Sequence, residues 1–108
     1  MFIIITDGEE NSSREYSPER IKAQIERQRT KYGWEFIFLG ANIDAVRTAS
    51  RFGIAPDRAQ NYHADSEGVE LNFRVMSRAV AAFRERSAMP EGWNDEIQRD
   101  YKRRGERR

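Results

Sequence analysis

The sequence predicts an α/β domain on a small parallel sheet, and three observations predict it. Phe2–Ile5 and Phe36–Leu39 are nearly unbroken apolar runs, the mark of strands buried on both faces. Each is followed by a segment of helical period, so strands and helices alternate. Buried strands joined through helices pair in parallel by right-handed crossovers. The expected architecture is three-layer α/β, with three parallel strands and alternating helices forming half of a doubly wound sheet.

The elements follow in order. Phe2 to Ile5, closed by Thr6, is the first strand, rich in β-branched residues. Gly8 and the polar stretch Glu9–Glu15 read as a loop. Ser17-Pro18 opens a helix, because serine caps and proline suits the first helical position. Ile21, Ile25, Gln28 and Tyr32 give that helix one narrow inward stripe, and Gly33 stops it in the left-handed conformation. Trp34–Leu39 is the second strand, with Trp34, Phe36 and Phe38 expected in the core, where aromatics contribute most area. Gly40-Ala41-Asn42 ends it, and Asn42 or Asp44 caps a short helix with Val46, Ala49 and Phe52 inward and Gly53 at its end.

Ala59–Ala64 ("AQNYHA") is a third strand of poor local propensity. Asp65 or Ser66 then caps a long helix, in which Val69, Phe73, Met76, Val80 and Phe83 step by four and three along one face. The period stops near Ser87. Residues 1–87 therefore form the domain. Residues 88–108, beginning near Met89-Pro90-Glu91-Gly92 and ending in "DYKRRGERR", are a basic extension expected to be loosely packed or disordered.

Composition narrows the function. In 108 residues, 19 basic side chains face 18 acidic ones, so no general field steers nucleic acid. The terminal arginines are a short run diluted by Asp100 and Glu106 and read as solvated. There is no cysteine, which excludes disulfides and thiolate metal sites and suits a reducing, cytoplasmic setting. No apolar run approaches a membrane span. No Gly-rich phosphate loop and no nucleophile elbow is present. His63, the single histidine, has no second nitrogen ligand near it in sequence and reads as a strand-end residue satisfied by hydrogen bonds.

The carboxyl ends of parallel strands are where ligands bind in open sheets. Here that rim offers Thr6-Asp7-Gly8, Gly40-Ala41-Asn42 and His63-Ala64-Asp65-Ser66. A carboxylate at a strand tip suits a hard divalent cation. The same Asp7 also suits a turn residue bonded to its own loop. Candidate rim neighbours are Thr6, Gly8, Glu9, Asn42, Asp44 and Asp65. An alternative chemistry, Mg²⁺-dependent phosphoryl or ester hydrolysis, would use Asp7 as ligand or nucleophile, with Asp44, Asp65 and Arg47 nearby.

"IIITDGEENSS" followed by "GWEFIFLGANIDAV" resembles the later half of a von Willebrand factor A domain, particularly bacterial and phage-associated members. The resemblance covers residues 2–86. It implies a non-catalytic protein-interaction module, with Asp7 as the single surviving ligand of a metal-ion-dependent adhesion site. The D-x-S-x-S motif that would complete that site is absent, so the resemblance implies no required cofactor and at most weak Mg²⁺ binding.

It also implies that the three strands are the contiguous fourth, fifth and sixth of that sheet, leaving Phe2, Ile3, Ile4, Ile5 and Thr6 at an unpaired edge. Such an edge is a template for pairing. The expected partner is a second copy, joined antiparallel into a six-stranded sheet. The other expected partner is an upstream polypeptide carrying the missing strands, with this chain a remnant that needs it.

Overall fold

A computed structural model describes residues 1–7 and 18–105. The chain divides into two compact units, Met1–Asn61 and Tyr62–Arg108. The fold is α/β, with three strands in one sheet, all parallel, in the order β1-β2-β3.

The first unit contains β1 (Phe2–Asp7), α1 (Pro18–Tyr32), β2 (Phe36–Ala41), α2 (Ala45–Arg51), a short 3₁₀ turn (Pro56–Arg58) and β3 (Ala59–Asn61). The apolar run of β2 makes it the central strand, and all six of its residues are buried. In register, Phe2 lies beside Phe36, Ile3 beside Ile37 and Ile5 beside Leu39. Side chains alternate across a strand. Ile4, Phe36 and Phe38 therefore share one face, where they pack with Ile21 and Ile25 of α1, Ala45 and Ala49 of α2, and Ile54. Both helices lie on this face, as two same-handed crossovers stepping one way across a sheet require.

Local chemistry sets the ends. Gly33 has φ +69°, and its N–H donates to the Arg29 carbonyl at 3.0 Å, the left-handed stop expected of it. Asp44 caps α2, its Oδ1 accepting from the Arg47 N–H at 3.1 Å. Glu35, interrupting the apolar run, receives Arg58 Nε at 2.8 Å.

The helices bury less than their periods suggested. In α1 Ile25 is buried and Ile21 partly so, while Gln28 and Tyr32 are exposed. In α2 Ala45 and Ala49 face inward and Val46 is exposed. β3 stops at Asn61 rather than reaching Ala64, and the Asn61 side chain turns to accept the Ala45 N–H at 3.0 Å.

In the second unit, α3 spans Ser66–Arg86 and α4 spans Asp95–Gly105. Asp65 caps α3, accepting from the Gly68 N–H at 2.8 Å. The inner face of α3 is Gly68, Leu71, Asn72, Val75, Met76 and Ala79. This corrects the expected stripe. Of Val69, Phe73, Met76, Val80 and Phe83, only Met76 is fully buried, and Phe73 is 69% exposed. The helix carries two apolar stripes about one residue apart, and the one that includes small residues, Gly68 and Ala79, permits the closer approach.

Residues 88–105, without a recognised period, hold a second helix rather than a loose tail. Trp93 and Ile97 are buried, and α4 packs on α3. Arg78 pairs with Glu96 across the two helices. Arg104 bridges Asp65 at 2.6 Å and Asp100 at 2.8 Å. No helix among the described residues is long and apolar enough to cross a membrane.

Candidate functional site

The strand-end rim of the first unit is built tightly. Register sets Thr6 beside Gly40 and Asp7 beside Ala41. A Cβ on Gly40 would meet the Ile43 Cδ1 at 2.9 Å, so Ile43 folds back closely onto the end of β2. Asn42 turns the chain with φ +61°, a conformation asparagine tolerates. Asp44 and Asn61 both serve the start of α2, each through its Oδ1.

Asp7 ends β1, and its side chain, Gly8 and Glu9 lie outside the described residues. Among the described residues, no three His, Asp or Glu side chains come together as a metal site.

In the second unit, His63 and Asp65 have structural roles. The His63 ring stacks on Tyr101 at 4.8 Å. Its Nε2 is 3.1 Å from the Tyr101 carbonyl, which can only accept, so this nitrogen carries the proton. The Asp65 carboxyl is held below the usual carboxylate range, first by hydrogen bonds from Arg104 and then by the Gly68 N–H. Arg104 is correspondingly harder to deprotonate, through Asp65 and then Asp100. Glu96 is lowered chiefly by its Arg78 hydrogen bond. Every one of these carboxylates is satisfied within the fold.

The edge of the sheet is different. β1 pairs with β2 on one side, and no described strand pairs with the other. The Phe2 N–H donates to the Glu35 carbonyl at 2.8 Å. In a parallel ladder alternate residues address the same neighbour. Phe2, Ile4 and Thr6 therefore direct their peptide groups to β2, and Ile3 and Ile5 direct theirs to the open edge.

That edge is apolar as well as unpaired. Phe2 is 51% and Ile5 54% exposed. No side chain from Phe2 to Thr6 is charged, although charge is the usual protection of an edge.

Beside it runs an apolar groove of about 560 Å³, lined by Phe2, Ile4, Ile21, Ile25, Trp34 and Phe36. Phe2 and Phe36 floor one end of it with ring centroids 5.6 Å apart. Phe36 and Phe38 are buried as the sequence led one to expect, but Trp34 is 43% exposed at the groove wall. Trp34 follows the left-handed stop at Gly33 and precedes the first paired residue of β2, so it stands at the rim of the sheet rather than within it. Its position directly after Gly33 was the signal that set it apart from Phe36 and Phe38.

The structure thus offers two places for function. Among the described residues, the strand-end rim presents Asp44 and Asn61, both engaged at the start of α2. The β1 edge presents the outward peptide groups of Ile3 and Ile5, paired by no described strand, beside half-exposed apolar side chains. No protein-family model, no curated protein and no solved structure matches the chain.

Proposed function

We propose that this chain is a non-catalytic protein-interaction module that associates with a second copy of itself through the edge of β1. The observation that carries the reading is the outer side of Phe2–Thr6, where no described strand pairs with the peptide groups of Ile3 and Ile5 and the side chains of Phe2 and Ile5 are half-exposed. Strand addition at an edge draws affinity from main-chain hydrogen bonds, and neighbouring apolar side chains add to it. The likeness of "IIITDGEENSS" and "GWEFIFLGANIDAV" to von Willebrand factor A domains supports the binding-module class. The roles of Asp44 and Asn61 favour it over hydrolysis at the rim, because each gives a side-chain oxygen to the start of α2.

Ile5→Lys tests the reading. Ile5 is half exposed, so lysine fits the isolated chain. In a dimer it would place a charge on the paired edge in both copies. Losing about 1 kcal/mol of burial per copy, plus desolvation of two ammonium groups, comes to at least ~3 kcal/mol. That raises the dissociation constant ~100-fold. The expected result by light scattering is a dimer for the parent and a folded monomer for Ile5→Lys at equal concentration. A parent that is monomeric, or a dimer indifferent to the lysine, would refute the reading.

A further inference from the structure

We infer that the two-fold axis of the paired edge passes midway between the two copies of Ile4, with Ile3 of one copy opposite Ile5 of the other; this rests on the self-association just described. The hydrogen-bond alternation of β1 supplies the argument. Ile3 and Ile5 carry the outward peptide groups, and in an antiparallel pair two such residues placed opposite each other exchange both of their bonds. A register centred on Ile4 sets Ile3 against Ile5 twice and so uses all four groups.

The competing symmetric registers do less. Centring on Ile3 moves Ile5 opposite Met1 and sets Ile4 against Phe2. Centring on Ile5 sets the Asp7 position against Ile3 and carries Phe2 opposite position 8, which lies outside the described residues. Only the Ile4 register pairs Phe2–Thr6 of one copy with Phe2–Thr6 of the other, and only it matches isoleucine with isoleucine at three successive positions.

A second copy also suits the neighbouring surface. A two-fold axis relating antiparallel neighbours stands perpendicular to the sheet, so both copies keep the same face upward. Ile4 shares its face with the groove walled by Ile21, Ile25 and Trp34. The grooves of the two copies therefore meet over the Ile4 pair. A stable interface buries about 800 Å² per partner. Half-exposed Phe2, Trp34 and Ile5 supply roughly 300 Å² of that, and the strand backbone and the α1 side of the groove lie in line to supply the rest.

The chain has no cysteine, so single-cysteine variants report the register cleanly. Ile4→Cys would be opposite its own copy at a non-hydrogen-bonded pair, with α-carbons about 4.5 Å apart, close enough for a disulfide. Ile3→Cys and Ile5→Cys would each lie about 8 Å from their own copies along the diagonal, too far to bridge.

The expected result under mild oxidation is a covalent dimer for Ile4→Cys, little for Ile3→Cys or Ile5→Cys alone, and a covalent heterodimer when those two are mixed. The mixture keeps the test decisive if Ile4→Cys folds poorly. Light scattering on the same samples separates the two levels. A dimer that cross-links through Ile3→Cys alone or Ile5→Cys alone overturns the register and leaves edge pairing standing. A dimer that cross-links at none of the three overturns both, as does a monomer.

Discussion

Replacing Gly68 by alanine sets two physical effects against each other, and the structure decides between them. Gly68 lies in the first turn of α3, where helix propensity alone favours alanine by about 1 kcal/mol. A Cβ there would be 1.8 Å from the His63 carbonyl oxygen, and real Cβ contacts essentially never fall below 3.0 Å. The start of the helix must then retreat by about 1 Å from a backbone group that cannot rotate away. Overpacking of this kind costs ~1–3 kcal/mol. The same shift strains the 2.8 Å bond from the Gly68 N–H to the Asp65 Oδ1, and losing a cap costs ~1 kcal/mol. The net is a loss of about 2 kcal/mol despite the better helix former. In urea, with a slope near 2 kcal/mol per molar, the unfolding midpoint should fall by about 1 M. An unchanged or raised midpoint would show that the close approach of His63 to α3 does not hold.

Two further substitutions probe the second unit. The Asn72 Oδ1 is buried with no hydrogen-bond partner among the described residues, so Asn72→Leu should stabilise the protein by about 1–2 kcal/mol; a lower thermal midpoint would contradict this. Acid should loosen α4 from α3, because Asp65 and Glu96 have carboxyls held below their ordinary values of 3.8 and 4.5. Such groups favour the fold above those values and lose that contribution as pH falls through the depressed folded-state range. Stability should therefore be level near neutrality and decline below about pH 4. Arg104→Met removes the main cause of the Asp65 shift, so the difference in urea midpoint between pH 6 and pH 3 should shrink. An equal or steeper acid decline in that variant would count against the Asp65–Arg104 pairing.

How much of this was legible in the sequence depends on the kind of signal. The central strand was plain, because an apolar run from Phe36 to Leu39 has no good alternative to burial on both faces. Gly33 and Asp65 were equally plain, since a left-handed stop and a carboxylate cap are local chemistry. The face of α3 was not. Val69, Phe73, Val80 and Phe83 outnumber Leu71 and Val75 in bulk, and periodicity counts bulk. Packing instead selected the stripe with Gly68 and Ala79, where small residues admit a neighbour.

The second helix of that unit was missed for a related reason. Trp93, Ile97 and Tyr101 recur every four residues, a helical signal, but the charged residues between them masked it. Asp44 and Asp65 were legible in the sequence both as caps and as chemical candidates, and in the fold both cap helices. At the edge, the apolar character of Phe2–Thr6 was visible from the start. Which of its peptide groups face outward could be known only from the Phe2 to Glu35 hydrogen bond.

The most direct test of edge pairing is amide hydrogen exchange at Ile3, Ile4 and Ile5, read by NMR at low and high protein concentration. The Ile4 N–H is bonded to β2 in either state and should be protected throughout. The Ile3 and Ile5 N–H groups should exchange rapidly in dilute solution and become protected together as concentration rises. Rapid exchange of Ile3 and Ile5 at every concentration, with Ile4 still protected, would show that the edge of β1 stays open to water and that no second copy pairs with it.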